Sequence, residues 1–187
     1  WLGECPPEEL RKMPLALERV EAVRRYRLSR ESEPTKKLAS TPTRFHVENM
    51  PKTNFVIVPE VSSERRNYIP MGYLTPDHLC SNLVKIVPDA SLFVFGVLTS
   101  RMHMAWVRYV CGRLKSDYRY SVGIVYNNFP WPLPLEKQKA AIEKAAQNIL
   151  DVRAKYPNSS LADLYDPLTM PKDLVQAHDD LDREVEK

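Results

Sequence analysis

With 187 residues the chain can bury one good core, or a core plus a smaller helical appendage. A hydrophobic fraction of 43% and a charged fraction of 27% are those of an ordinary soluble globular protein, and no apolar run approaches membrane-spanning length. The net charge of +3 divides unevenly: residues 1–132 hold 19 Lys and Arg against 13 Asp and Glu, and residues 133–187 hold 8 against 11, so a polyanion is expected on the first part.

Pro6-Pro7 followed by Glu8-Glu9 predicts a helix start, because proline fits the first turn and carboxylates favour its positive end. Pro14 interrupts or restarts that helix, and Leu17, Val20, Val23 and Tyr26 give a partial apolar face. The polar stretch 29–42 reads as a loop. Phe45 and Val47, then Phe55 to Val58, read as strands. Residues 62–67 form a basic turn, Tyr68-Ile69-Pro70 opens another short strand, and Leu83 to Val87 is a further one. Asp89 is the expected N-cap of a helix over 90–98, and Ser100 begins the next helix, with Met104, Val107 and Cys111 on one side. Beyond Pro134 the pattern turns helical, with stretches over 136–156, 161–165 and 172–185.

The expected fold class is α+β: a mixed α/β domain with short strands and packed helices, followed by an all-α C-terminal tail. Residues 1–42 are expected to be an N-terminal helix and linker, 43–132 the principal domain and 133–187 the helical region. The chain starts at Trp1 without a signal-peptide pattern and reads as a piece of a longer protein. Cys5, Cys80 and Cys111 are an odd number without Cys-x-x-Cys spacing, which favours buried reduced thiols in a cytoplasmic protein over disulfides or zinc.

Several chemistries lack their residues. The five glycines are too dispersed for a Gly-x-Gly or P-loop turn, so no dinucleotide, S-adenosylmethionine or ATP phosphate loop is encoded. The four histidines form no metal-binding pair at helical spacing, and there is no Gly-x-Ser-x-Gly elbow. No acid-x-Lys pair of a carboxylate nuclease occurs. The chain is expected to hold no catalytic residue, metal or cofactor of its own.

The richest stretch runs from Gly112 to Ser121. Lys115, Asp117 and Arg119 alternate with Ser116, Tyr118 and Tyr120, so in an extended conformation the three charges project to one side. Donors and an acceptor on a rigid base suit the reading of base edges in DNA. The plain alternative is a solvated strand face. Trp106, Trp131, Tyr118 and Tyr120 are expected to be core anchors rather than base-stacking groups.

Tyr68-Ile69-Pro70, Phe95 to Ser100, Trp106, Gly112 to Ser121 and Asn128-Phe129-Pro130-Trp131-Pro132 together resemble the C-terminal end of MmeI-like (type IIL) restriction–modification enzymes. Leu164-Tyr165-Asp166, Met170-Pro171 and Ala177 to Asp182 resemble that family's C-terminal helical region. The resemblance implies a target recognition domain for double-stranded DNA, partnered by an S-adenosylmethionine-dependent adenine-N6 methyltransferase domain of the same parent chain, with no membrane partner. It places Lys115 and Asp117 on one base pair, with an expected G·C preference: an ammonium donates to guanine O6/N7 while a carboxylate accepts from cytosine N4–H. It further assigns Arg119 with Leu83, and Glu60 with Asn82, to base reading. Arg65, Arg66, Arg101 and Arg113 are candidates for phosphate contact. The competing reading is a non-catalytic scaffold that docks other domains or subunits.

Overall fold

The computed structural model describes residues 2–48 and 50–187; Trp1 and Asn49 lie outside the described residues. The chain divides into two compact units, Trp1–Asn49 and Met50–Lys187. In the first, prolines occupy the opening turns of α1 (Pro7–Arg11) and α2 (Pro14–Leu28), where a missing N–H costs nothing. The stretch 29–42 is not a loop. It holds α3 (Glu33–Lys37) and a 3-10 turn (Leu38–Ser40), because Pro34 also falls in a first turn, where it starts the helix instead of breaking it. Arg27 ties this segment to α2 by donating to the carbonyls of Leu38 (2.7 Å), Thr41 (2.9 Å) and Arg44 (2.6 Å). Phe45 and Val47 are exposed and belong to no strand.

The second unit carries two small antiparallel sheets. One has the order β3-β1-β4, built from β1 (Phe55–Pro59), β3 (Gly72–Leu74) and β4 (Val84–Val87). The other has the order β2-β6-β5, from β2 (Val61–Ser62), β5 (Gly112–Leu114) and β6 (Asp117–Arg119). Tyr68 and Ile69 are buried as a strand would be, yet the ladder starts only at Gly72, since Pro70 has no N–H to give it. Asp89 does not cap a helix: it adopts φ 53° and accepts a hydrogen bond from the Thr53 hydroxyl. Ser91 is the cap instead, accepting from Val94 N–H at the start of α4 (Leu92–Leu98). Ser100 caps α5 (Arg101–Val110) as expected, and Met104, Val107 and Cys111 are buried. Cys5 and Cys80, by contrast, are only partly buried, and all three thiols are free.

The tail forms α6 (Glu136–Ala154), α7 (Leu161–Leu164) and α8 (Lys172–Val185), and these helices share a core with α4. Gly96 allows that approach, because a Cβ there would lie 2.9 Å from Ile142 Cγ2 and 3.2 Å from Ala146 Cβ. Buried polar groups then fix the packing. Arg153 donates to the Met71 carbonyl (2.8 Å) and to the Tyr165 hydroxyl (2.9 Å), while His178 meets Tyr165 Oη at 2.7 Å and stacks on Tyr68. Tyr68 in turn donates to Asp182 (2.7 Å), which also accepts from the Arg101 backbone N–H (2.6 Å).

Burial lowers the pKa of His103 to about 4 and that of His178 to about 3. Both rings are therefore neutral when folded and gain a proton only on unfolding below their ordinary pKa of about 6.5. Their contribution to stability is complete above that value and declines as pH falls through the folded pKa values. Each should steepen the loss by up to about 1.4 kcal/mol per pH unit. Asp182, whose carboxyl burial raises, acts in the opposite sense, favouring the fold as pH falls through its own pKa. Urea midpoints should drop between about pH 7 and pH 5 in the wild type, and the drop should shrink in His103→Phe.

Candidate nucleic-acid interface

β5 and β6 are the arms of a hairpin. Leu114 pairs with Asp117, leaving Lys115-Ser116 as a two-residue loop. Lys115 takes φ 58° and no other non-glycine residue of the loop does, the sign pattern of a type II′ turn, which normally places glycine there. The alternation expected over 115–119 is thus interrupted: Asp117 and Arg119 share one face of β6, but Lys115 sits at the tip. A lysine held in the left-handed region is strained by about 1–2 kcal/mol, a cost that tends to persist at functional positions. Lys115 is exposed and makes no ion pair among the described residues.

The opposite face of β6 anchors the hairpin. Tyr118 is buried, and the Arg113 guanidinium lies 4.1 Å from its ring centre while donating to the Ser116 carbonyl (2.8 Å). Tyr120 is buried with its hydroxyl 3.0 Å from His103 Nε2. Trp106 donates to the Val125 carbonyl at 2.9 Å, and Trp131 packs against Phe129 and Tyr126. All four aromatic residues are anchors. The base of the hairpin is consequently rigid, while its charged face is open.

Glu60, in the bend between β1 and β2, joins the sheets. Its N–H donates to the Leu83 carbonyl (2.9 Å), and its own carbonyl accepts from Tyr120 N–H (2.8 Å). Its carboxylate lies 3.1 Å from Lys85 Nζ and 3.5 Å from Arg119 Nε. Lys85 first, and Arg119 after it, hold the Glu60 carboxyl below the usual carboxylate range, so it is an ionised, acceptor-only group. Asn82 and Leu83 are exposed in the turn leading into β4. The Glu60 bend, the Asn82–Leu83 turn and the face of β6 therefore adjoin, with Lys115 at the far end. Asp117 additionally accepts from Glu64 N–H at 3.3 Å, which steadies its carboxylate from the basic turn.

The four arginines differ. Arg65 is exposed and makes no ion pair among the described residues. Arg113 is engaged by the Tyr118 ring and, at 3.8 Å, by Glu64. Arg66 reaches the Ala162 carbonyl at 3.4 Å. Arg101 is held between Asp179 (3.0 Å) and Asp182 (3.3 Å), so contact with a phosphate would compete with two carboxylates. Sequence reading overlooked Lys85, whose partner Glu60 lies 25 residues away in the bend after β1, and Asp182, whose partners are distant in the chain.

Among the described residues no cluster of His, Cys, Asp and Glu could hold a metal ion, and no helix is long and apolar enough to cross a membrane. Residues 1–133 match the family described as MmeI, target recognition domain, and residues 135–187 match that described as MmeI, C-terminal domain. DNA methyltransferase A of Bacillus subtilis (strain 168) is 44% identical over 187 residues, covering 100% of this chain and 21% of that protein. The solved structure of the type IIL restriction–modification enzyme MmeI in complex with DNA is 47% identical with a TM-score of 0.84, over 100% of this chain and 25% of that one. The chain thus spans about a fifth to a quarter of the length of these relatives. The two family matches place the chain in the MmeI family, as a target recognition domain continued by a C-terminal domain.

Proposed function

We propose that this chain reads double-stranded DNA in the major groove, and that the base edges are contacted by Lys115 and Asp117, by Arg119 with Leu83, and by Glu60 with Asn82. The observation that carries the reading is Lys115: a strained, exposed, unpaired ammonium at a hairpin tip, beside a carboxylate steadied by a backbone N–H. Lys115 donates to guanine O6/N7 and Asp117 accepts from the paired cytosine N4–H, giving a G·C preference. Glu60, ionised and with lone pairs to spare beyond its two cations, accepts from an exocyclic amino group. Arg65 is the phosphate contact that the surroundings leave most available, adding affinity and salt dependence without sequence information.

In this reading the whole protein is an S-adenosylmethionine-dependent adenine-N6 DNA methyltransferase, with or without a nuclease. The catalytic and cofactor residues lie outside these 187 positions, which supply the address. The name of the Bacillus relative and the lack of a Gly-x-Gly turn support that division of labour.

The test exchanges the charges. Lys115→Glu with Asp117→Arg in the full-length protein should change the preferred base pair at one position and leave the others alone. The original pair should lose about 1–3 kcal/mol of discrimination, read from enrichment out of a randomised duplex pool. Equal weakening on every duplex would instead favour a scaffold role.

A further inference from the structure

The strongest unassigned feature of the surface is Lys85. It sits opposite Val58 in the β1–β4 ladder, so its side chain reaches diagonally across to Glu60, two residues further along. Its Nζ lies 3.1 Å from Glu60 Oε2, while Arg119 Nε approaches the other oxygen, Oε1, at 3.5 Å. The Lys85 and Glu60 side chains retain only 34% and 23% of their exposure, so this pair is screened less than an open surface pair. Arg119 belongs to the central strand of the other sheet, and its neighbour Tyr120 bonds the Glu60 carbonyl. Two cationic side chains from different sheets thus share one carboxylate.

We propose that Lys85 is a positioning residue for base reading: by fixing Glu60 against Arg119 it makes the base pairs contacted by those two residues a coupled unit. The proposal rests on the assignment of Glu60 and Arg119 to base contact and extends it to a residue that need not touch DNA. With Lys85 in place, one Glu60 oxygen is committed and the other is aimed toward Arg119. Without it, the carboxylate turns wholly onto Arg119 or into solvent, and both readers lose their set direction. Lys115 and Asp117, beyond Arg119 on the hairpin, have no hydrogen bond or ion pair with this cluster among the described residues and serve as an internal reference.

Base preferences of full-length Lys85→Met, Lys85→Arg and Glu60→Ala proteins, selected from a randomised duplex pool, test this. Lys85→Met keeps the stem and removes the charge. It should reduce preference at the pairs read by Glu60 and by Arg119 by roughly threefold to tenfold, leaving the Lys115–Asp117 pair unchanged. Lys85→Arg should restore both. Unchanged preferences in Lys85→Met, alongside an altered pair in Glu60→Ala, would overturn the role of Lys85 alone. So would an equal loss at all pairs, including the Lys115–Asp117 reference. If Glu60→Ala alters no pair, the base-contact assignment itself fails and the proposal with it.

Discussion

Lys115→Gly should leave the fold intact and weaken discrimination at one base pair. Glycine relieves the left-handed strain at φ 58° and suits the first position of a type II′ loop. That gain, about 1–2 kcal/mol, is offset by the greater freedom glycine adds to the unfolded chain, about 0.4–1 kcal/mol. Urea unfolding should therefore show stability within about 1 kcal/mol of wild type. Duplex selection should show the G·C preference at that position falling by about 1–3 kcal/mol, with the remaining positions unaffected. A turn residue without a base contact would show the same small change in stability and no change in base preference at any position.

Asp182→Ala should be the most destabilising single change in the C-terminal helices. Asp182 is almost completely buried and is shared by the Tyr68 hydroxyl, the Arg101 backbone N–H and the Arg101 guanidinium. Removing it strands the buried Tyr68 hydroxyl and the half-buried Arg101 N–H and leaves the Arg101 guanidinium with only the more exposed Asp179, a loss of about 3–5 kcal/mol. Asp182→Asn keeps one oxygen, which can still accept from the Arg101 N–H, and sets an NH2 against the Tyr68 hydroxyl, which can accept from it, so it should lose less, about 1–2 kcal/mol. The position also links the tail to the proposed reading surface. Asp182 of α8 pins the start of α5, and α5 runs directly into the hairpin. In chemical denaturation the Ala variant should unfold at clearly lower urea, while its folded fraction keeps the wild-type order of duplex preference.

The legibility of this fold follows the range of the interactions involved. β1, β4, α5, α6 and α8 rest on local periodicity, and the Ser100 cap on a side chain reaching three residues ahead, so all are visible in the sequence. The hairpin is not, because Lys-Ser lacks the glycine or asparagine that signals a two-residue loop. Its tip consequently reads as uninterrupted strand, and Lys115 as a third member of the row. Asp89 is the expected cap, but Ser91 fills that role while Asp89 bonds Thr53, 36 residues earlier in the chain. The residues proposed to read bases are visible individually, through the alternation and the family resemblance. Their assembly around Glu60 is set by strand register between segments far apart in the chain, which no local pattern encodes.

The most direct measurement is a double-mutant cycle between protein and base. Full-length wild-type and Lys115→Gly proteins would be titrated with duplexes carrying guanine or 7-deazaguanine, which lacks the N7 acceptor, at the pair that Lys115 selects. A direct contact predicts that the analogue weakens wild-type binding and has little further effect on Lys115→Gly. An equal penalty in both proteins would mean that Lys115 does not touch that guanine.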